Sequence, residues 1–307
     1  MKYIISVSRR SDVPAFYSGW FLNALKSGYT TIKHPFNHNV LRINLTPNEV
    51  LGFVFWSRYP KGLISILEFI DNSFGSNHYI NFTLNDYPEE IEPRKPNLEK
   101  VLYLVNFLYD KYGENYIKWR FDPIVISNLT TKYFVIEKFN LLSKLPSGKV
   151  RSCIVSFLDL YGKVKRRISS NGKFILKNIE FDEQVELISQ LAQIASMHNI
   201  ELKLCCERSL AKALNIKEAS CVNPNQFTNQ DDGLHKMAPT RKGCTCFKSY
   251  DIGFYNTCLF NCIYCYANTS YESSLRNYKI FKKEELLDSN KSRCESPVDK
   301  VFKWQCF

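Results

Sequence analysis

Three cysteines near the C-terminus carry the strongest chemical signal in this chain. They read Cys258-Leu-Phe-Asn-Cys262-Ile-Tyr-Cys265, a C-x3-C-x2-C run followed by Tyr266-Ala267-Asn268. A fold does not need three thiols in eight residues. A metal does, because thiolates on a tight loop point at one centre. Zinc takes four protein ligands, or three plus water, typically from C-x2-C pairs. One triplet with unequal gaps suits a four-iron cubane better. Three thiolates then leave one iron open to a small molecule.

Four further cysteines, Cys205, Cys221, Cys244 and Cys246, invite the same reading. Cys244-Thr-Cys246 can bridge one metal or cluster. The four together could hold a second [4Fe-4S] cluster or a structural zinc, or could be reduced thiols in packing. Strand alternation puts Cys205 and Glu207 on one face and Cys206 on the other. Cys153, Cys294 and Cys306 read as packing or exposed thiols, and His34 and His38 as structural histidines. The scarcity of histidine, five in all, argues against a zinc hydrolase.

A second set of residues stands where strands end. The runs are Ser8-Arg9-Arg10-Ser11-Asp12, Trp119-Arg120-Phe121-Asp122-Pro123 and Cys205-Cys206-Glu207-Arg208. Singly, each reads as a loop charge or a helix cap, Asp12 most plainly. As a set at one end of a barrel, Arg9, Arg120, Asp122 and Glu207 could bind a carboxylate or phosphate and move protons.

The elements that must position these groups follow a rhythm of short β-type runs and helical patterns. Strands are expected at Ile4–Ser8, Thr30–His34, Phe53–Trp56, His78–Leu84, Ile117–Phe121, Cys153–Leu158 and Glu201–Cys206. Between them, a helix capped by Asp12 runs to Gly28, and Thr46-Pro47-Asn48-Glu49 has capping-box spacing. Further helices are expected over Gly62–Ile70, Leu98–Tyr112 and Tyr133–Leu142, and around Val185, Ile188, Leu191 and Ala195. Alternating strands and helices imply a parallel sheet, here an α/β fold with a complete or partial (β/α) TIM-like barrel. Residues 1–221 form that barrel. In residues 222–257 the periodicity fades, so a cysteine-rich iron–sulfur segment, 222–307, is expected to pack on the barrel mouth.

With 307 residues, 45% hydrophobic, the chain can bury a sizeable core. No run approaches the length of a membrane span, and the apolar stretch Tyr3–Val7 is too short for a signal peptide core. A cytoplasmic protein with reduced thiols and no membrane partner is expected. The net charge of +11 suits an anionic partner. The one dense basic run, Lys163-Val-Lys165-Arg166-Arg167, reads as a solvated hairpin or loop edge.

The cysteine spacing resembles that of the radical S-adenosylmethionine (SAM) superfamily. The stretch from Asp251 to Asn268 resembles the cluster loop of spore photoproduct lyase-like proteins. Over nearly its whole length the chain resembles the uncharacterised DUF1848 family, through Ser8–Asp12, Phe55-Trp56-Ser57-Arg58-Tyr59-Pro60, Trp119–Ile124 and the cysteine-rich tail. The radical SAM resemblance implies that Cys258, Cys262 and Cys265 hold a [4Fe-4S] cluster whose fourth iron is chelated by SAM, with Tyr264, and less directly Tyr266, near the adenine. Two features depart from that pattern. The triplet follows the last strand units rather than the first, and there is no Gly-Gly-Glu for the SAM amino group, which leaves Glu207 or Asp12 to meet it.

The leading expectation is therefore a radical SAM-type enzyme. It would cleave SAM reductively and abstract hydrogen from a substrate at the barrel mouth, with Arg9, Asp12, Arg120, Asp122 and Glu207 as candidate site residues. Its partners would be a reducing electron donor and a nucleic acid, metabolite or peptide substrate. The alternative is a non-catalytic iron–sulfur or zinc barrel protein that binds nucleic acid.

Overall fold

The computed structural model describes residues 2–33, 39–145, 148–228 and 236–288. In chain order the elements are β1 (Tyr3–Val7), α1 (Val13–Phe16), α2 (Ser18–Ser27), β2 (Tyr29–Lys33), β3 (Val40–Asn44) and β4 (Val50–Ser57). Next come α3 (Lys61–Ile64), α4 (Leu67–Phe74), β5 (His78–Thr83), α5 (Leu98–Tyr112), β6 (Ile117–Ile124), α6 (Lys132–Lys144) and β7 (Ser152–Phe157). The remainder are α7 (Gly162–Ser169), α8 (Phe181–Met197), β8 (Glu201–Leu204), α9 (Arg208–Leu214), β9 (Ser249–Asp251) and α10 (Tyr271–Asp288).

Seven strands form one parallel sheet in the order β8-β7-β6-β5-β4-β1-β9. From β4 to β8 each strand lies beside its predecessor, as in a (β/α) barrel. Among the described residues no ladder joins the edge strands β8 and β9, so the architecture is a partial β/α sheet and not a closed barrel. The segment after residue 222 adds β9 to this sheet, against β1. Three residues are too short for a periodic pattern, so this strand was not visible in the sequence.

The ladder register sorts the residues onto two faces. Ile5, Val7, Phe53, Phe55, Ile80, Phe82, Trp119, Phe121, Cys153 and Val155 share one face, buried and almost wholly apolar. The helices pack there, through Trp20, Phe21 and Leu25 of α2, Val105 and Leu108 of α5, and Leu187 and Leu191 of α8. Ser6, Trp56, Asn81, Arg120, Cys205 and Asp251 alternate onto the opposite face. That polar face is where the chemistry gathers. The segment after β8 covers part of it. A Cβ at Gly52 would lie 2.5 Å from the Phe227 ring, so the glycine makes room for the segment.

Several local expectations change. Asp12 caps α1 as read, accepting from the Ala15 amide at 3.0 Å, but the helix expected to run on to Gly28 is broken at Tyr17 into α1 and α2, and Gly28 ends α2 in the left-handed region. The Thr46–Glu49 pair does form, with Thr46 Oγ1 donating to Glu49 Oε2 at 2.9 Å, but it closes a turn because β4 starts at Val50. The strand expected at Thr30–His34 is β2, which leaves the main sheet and pairs antiparallel with β3. His34 and His38 lie outside the described residues, as do Cys294 and Cys306. The helix expected over Gly62–Ile70 is broken into α3 and α4. The basic run Lys163–Arg167 is not a hairpin or loop edge but part of α7.

Candidate metal centre

Parallel strands end together, so the residues that follow them meet along one edge. The Cys258–Cys265 loop is seated on that edge by two arginines. Arg58, just past β4, donates through Nη1 to Cys262 Sγ at 2.9 Å and to the Tyr264 hydroxyl at 3.3 Å. Its Nη2 pairs with the fully buried Glu92 at 2.6 Å. The Tyr264 hydroxyl donates to the same carboxylate and accepts from Asn85 Nδ2 at 3.2 Å. From α7, Arg167 Nη1 donates to the carbonyls of Cys262, Ile263 and Cys265 at 3.2, 3.1 and 2.9 Å, and its Nη2 to that of Asn268. These bonds fix a loop that has almost no regular structure of its own.

The three thiols lie within one another's field. Burial first, then Cys265, Asp12 and Cys262, hold Cys258 well above a thiol's usual range. Burial pushes Cys262 up to about 11, with Arg58 pulling the other way. Ionising Cys258 and Cys262 together therefore requires positive charge, which a bound metal supplies.

A second group of thiols collects where β8 ends. Cys205 and Cys206 bring their sulfurs to 3.7 Å, and Cys221 lies 3.9 Å from Cys205. The Cys246 amide donates to Cys244 Sγ at 3.4 Å, and the fields of Cys244 and Cys221 are felt at Cys206, that of Cys221 at Cys246. The four cysteines expected together are thus together, and Cys206 joins them. Strand alternation fails for Cys206 because β8 stops at Leu204 and Cys206 turns into the left-handed region at φ 65°. Gly243, at φ 79°, lets the Cys244–Cys246 turn approach; a Cβ there would stand 3.0 Å from the Cys206 carbonyl oxygen. Guanidinium groups reach these sulfurs. Arg120 Nη1 donates to Cys221 Sγ at 2.7 Å, and Arg241 Nε to Cys206 Sγ at 3.0 Å.

Between the two groups lies Trp56. Arg9 and Arg120 each stack on its indole, both 5.2 Å from the ring centroid. Burial disfavours the Arg9 charge, but Asp251, Cys246, Tyr266 and Cys221 outweigh it, so Arg9 senses both groups of residues. Asp251 ties the ends of β1 and β9, accepting from Ser6 Oγ at 2.9 Å, Ser8 Oγ at 2.5 Å and the Arg9 amide at 2.8 Å. Arg9 Nη2 and Arg58 Nε are buried without a hydrogen-bond partner.

The other expected residues have these places. Asp122 pairs with Arg120 and accepts from Ser156 Oγ. Glu207 accepts from the Phe157 amide at 2.9 Å, and burial raises its pKa. Asp12 spends both oxygens on backbone amides, those of Ala15 and of Arg58, the latter at 2.7 Å; burial raises its carboxyl to about 6. Tyr264 packs inward with its hydroxyl committed to Glu92. Tyr266 is 43% exposed, with its hydroxyl on the Arg9 carbonyl at 2.7 Å and its ring 5.7 Å from that of Tyr161, itself 43% exposed.

Sequence reasoning gave no site role to Arg58, Glu92, Trp56, Asp251, Arg167, Cys206 or Arg241, although Trp56, Arg58 and Asp251 stand in the stretches that carry the resemblances and Arg167 in the basic run. Arg58 and Trp56 close β4 as Arg9 follows β1 and Arg120 lies near the end of β6, so the same strand-end argument reaches them. Glu92 follows Glu89-Glu90-Ile91 and reads as an acidic surface turn; no signal marks it. Among the described residues, no group of three or more His, Cys, Asp or Glu side chains is arranged to hold a metal ion.

A family model described as "Domain of unknown function (DUF1848)" matches residues 4–267. The match covers most of the chain and spans both thiol groups, so the chain belongs to this family. No curated protein and no solved structure gives a significant match.

Proposed function

We propose that this member of the DUF1848 family is a radical SAM-type iron–sulfur enzyme, with Cys258, Cys262 and Cys265 as the cluster ligands. The observation that carries the reading is the seating of the triplet loop on the carboxyl edge of a parallel sheet, where two partly buried arginines each keep a buried nitrogen without a partner. The donor set suits the group. Three soft thiols share one loop, and a guanidinium donates to one of the sulfurs. When bound, the cluster and SAM supply reductive cleavage of SAM and hydrogen abstraction by its 5′-deoxyadenosyl group.

The chain's own residues do the rest. Arg167 and Arg58 hold the loop in one geometry, so three thiols are presented without a search through loop conformers. Glu92 balances the Arg58 charge in a fully buried position and keeps the guanidinium directed at Cys262. Tyr266 and Tyr161 offer half-exposed rings beside the loop, a surface on which an adenine can stack. Arg9, stacked on Trp56 with a free Nη2, offers a charge-assisted donor to a carboxylate or phosphate. Arg120 is already engaged by Asp122 and Cys221, so it orients more than it binds.

The alternative of a non-catalytic nucleic-acid-binding protein draws less support, because Arg167 of the basic run is spent on the cysteine loop. SAM binding tests the proposal. Reconstituted protein should retain SAM on dialysis, and a Cys258→Ala/Cys262→Ala/Cys265→Ala variant should lose it. Equal retention by the variant would overturn the assignment.

A further inference from the structure

Two arginines reach the triplet loop, and they reach different atoms. Arg167 donates to backbone carbonyls, those of Cys262, Ile263, Cys265 and Asn268. Arg58 donates through Nη1 to the Cys262 sulfur at 2.9 Å and to the Tyr264 hydroxyl at 3.3 Å. A group that only seated the loop would bind its carbonyls, as Arg167 does. A donor on a ligand sulfur acts on the charge that the sulfur carries.

Arg58 is fixed in that position. Its amide donates to Asp12 Oδ2 at 2.7 Å, which holds the chain just past β4. Its Nη2 meets Glu92 Oε1 at 2.6 Å. Glu92 is fixed in turn. The Tyr87 amide donates to its Oε2 at 3.3 Å, and the Tyr264 hydroxyl donates to its Oε1. The Ile263 amide donates to the Ile91 carbonyl at 3.0 Å, so backbone joins the triplet loop to the segment that bears Glu92.

The two charges act on Cys262 with opposite signs. The Arg58 and Glu92 side chains are 11% and 0% exposed, so solvent screens neither well. Burial is the largest influence on the Cys262 thiol and raises its pKa. Arg58 lowers it and Glu92 raises it. The guanidinium therefore favours negative charge on this sulfur, and the carboxylate limits that preference.

We infer that Arg58 and Glu92 form an opposed pair that sets the reduction potential of the centre held by the triplet: Arg58 favours the reduced, more negative state by donating to Cys262 Sγ, and Glu92 restrains it. The inference rests on the triplet being the cluster site proposed above. Hydrogen bonds and charges at ligand sulfurs are among the features that set such potentials. Arg58 and Glu92 are positioning residues, acting through Cys262 on how readily the centre accepts an electron.

Potentiometric titration of reconstituted full-length protein, followed by EPR and visible absorbance without SAM, tests this. A Cys221→Ala/Cys246→Ala parent confines the signal to the triplet. In that parent, Arg58→Met should shift the midpoint negative, lowering the reduced-to-oxidised ratio at fixed potential about tenfold, or about 59 mV for one electron. Glu92→Gln should shift it positive. Arg58→Lys, which keeps the charge but not the planar fork, should recover part of the loss. Arg58→Met/Glu92→Met removes both buried charges and should fall between Arg58→Met and the parent, a reading that survives if a single variant folds poorly. A loaded centre whose midpoint is unmoved across the series, or shifts of the same sign from Arg58→Met and Glu92→Gln, would overturn this inference and leave the triplet reading standing. A parent without iron and sulfide would overturn both.

Discussion

Arg58 and Glu92 form a buried ion pair, Nη2 to Oε1 at 2.6 Å, and Nη1 of the same guanidinium donates to Cys262 Sγ. One arginine thus joins an acidic residue without sequence signal to the central cysteine of the triplet. Removing one partner of such a pair strands a buried charge, at a cost of about 3–5 kcal/mol. Glu92→Gln is therefore expected to lower stability by about that amount, whereas the double change Arg58→Met/Glu92→Met should cost less. Denaturant melts of the two variants check this, and equal losses would show that the pair is not uncompensated when broken.

Arg167 reaches the carbonyls of Cys262, Ile263, Cys265 and Asn268 from one side chain. Arg167→Ala should leave the helical circular dichroism signal near wild type but reduce iron retained by the triplet. Arg167→Lys should recover only part, because a lysine cannot present the same planar fork. Iron counting in a background lacking Cys221 and Cys246 isolates the effect.

Gly253 stands where a Cβ would lie 1.9 Å from Ser8 Oγ and 2.2 Å from Ser8 Cβ. Ser8 in turn donates to Asp251, which ties β9 to β1. Gly253→Ala must push this junction apart and should destabilise by about 1–3 kcal/mol, the usual cost of overpacking. A melt indistinguishable from wild type would mean that the β1–β9 junction yields without cost.

Acid should weaken the protein partly through His78. Burial lowers its pKa below the usual imidazole value, against the pull of Asp71, which accepts from Nε2 at 2.9 Å. Burial would raise Asp71, but hydrogen bonds from Lys111, His78 and Tyr112 outweigh it and lower it. For both groups the unfolded chain binds more protons than the folded one, so stability falls as pH drops, for His78 from its unfolded value of about 6.5 downward. His78→Gln should flatten the stability slope just below that pH relative to wild type at equal metal loading. An unchanged slope would contradict the assignment.

The fold was legible where periodicity ran long. Leu98–Tyr112 forms the helix its apolar spacing predicts, and the strand at 78 starts and nearly ends as expected. Legibility failed where tertiary pairing overrode local pattern. Thr46–Glu49 carries a helix-start pattern but is consumed by the turn into β4, and Ser249–Asp251 becomes a strand only because β1 offers an edge. At the site, chemistry-bearing residue types at unusual spacing were readable: the triplet, and the four thiols at 205, 221, 244 and 246. Residues acting at a distance in sequence were not. Arg167 lies 95 residues from Cys262 and Glu92 lies 172 from Tyr264, so only the folded chain shows them together. Cys206 was misplaced because a strand register was carried two residues past the strand's end.

The central claim is that Cys258, Cys262 and Cys265 support reductive cleavage of SAM. Its most direct test is the formation of 5′-deoxyadenosine by anaerobically reconstituted protein given SAM and dithionite. Wild type should produce it, and so should a Cys206→Ala variant, while Cys262→Ala should produce none above the reagent background. A protein fully loaded with iron and sulfide that releases no 5′-deoxyadenosine would contradict the account.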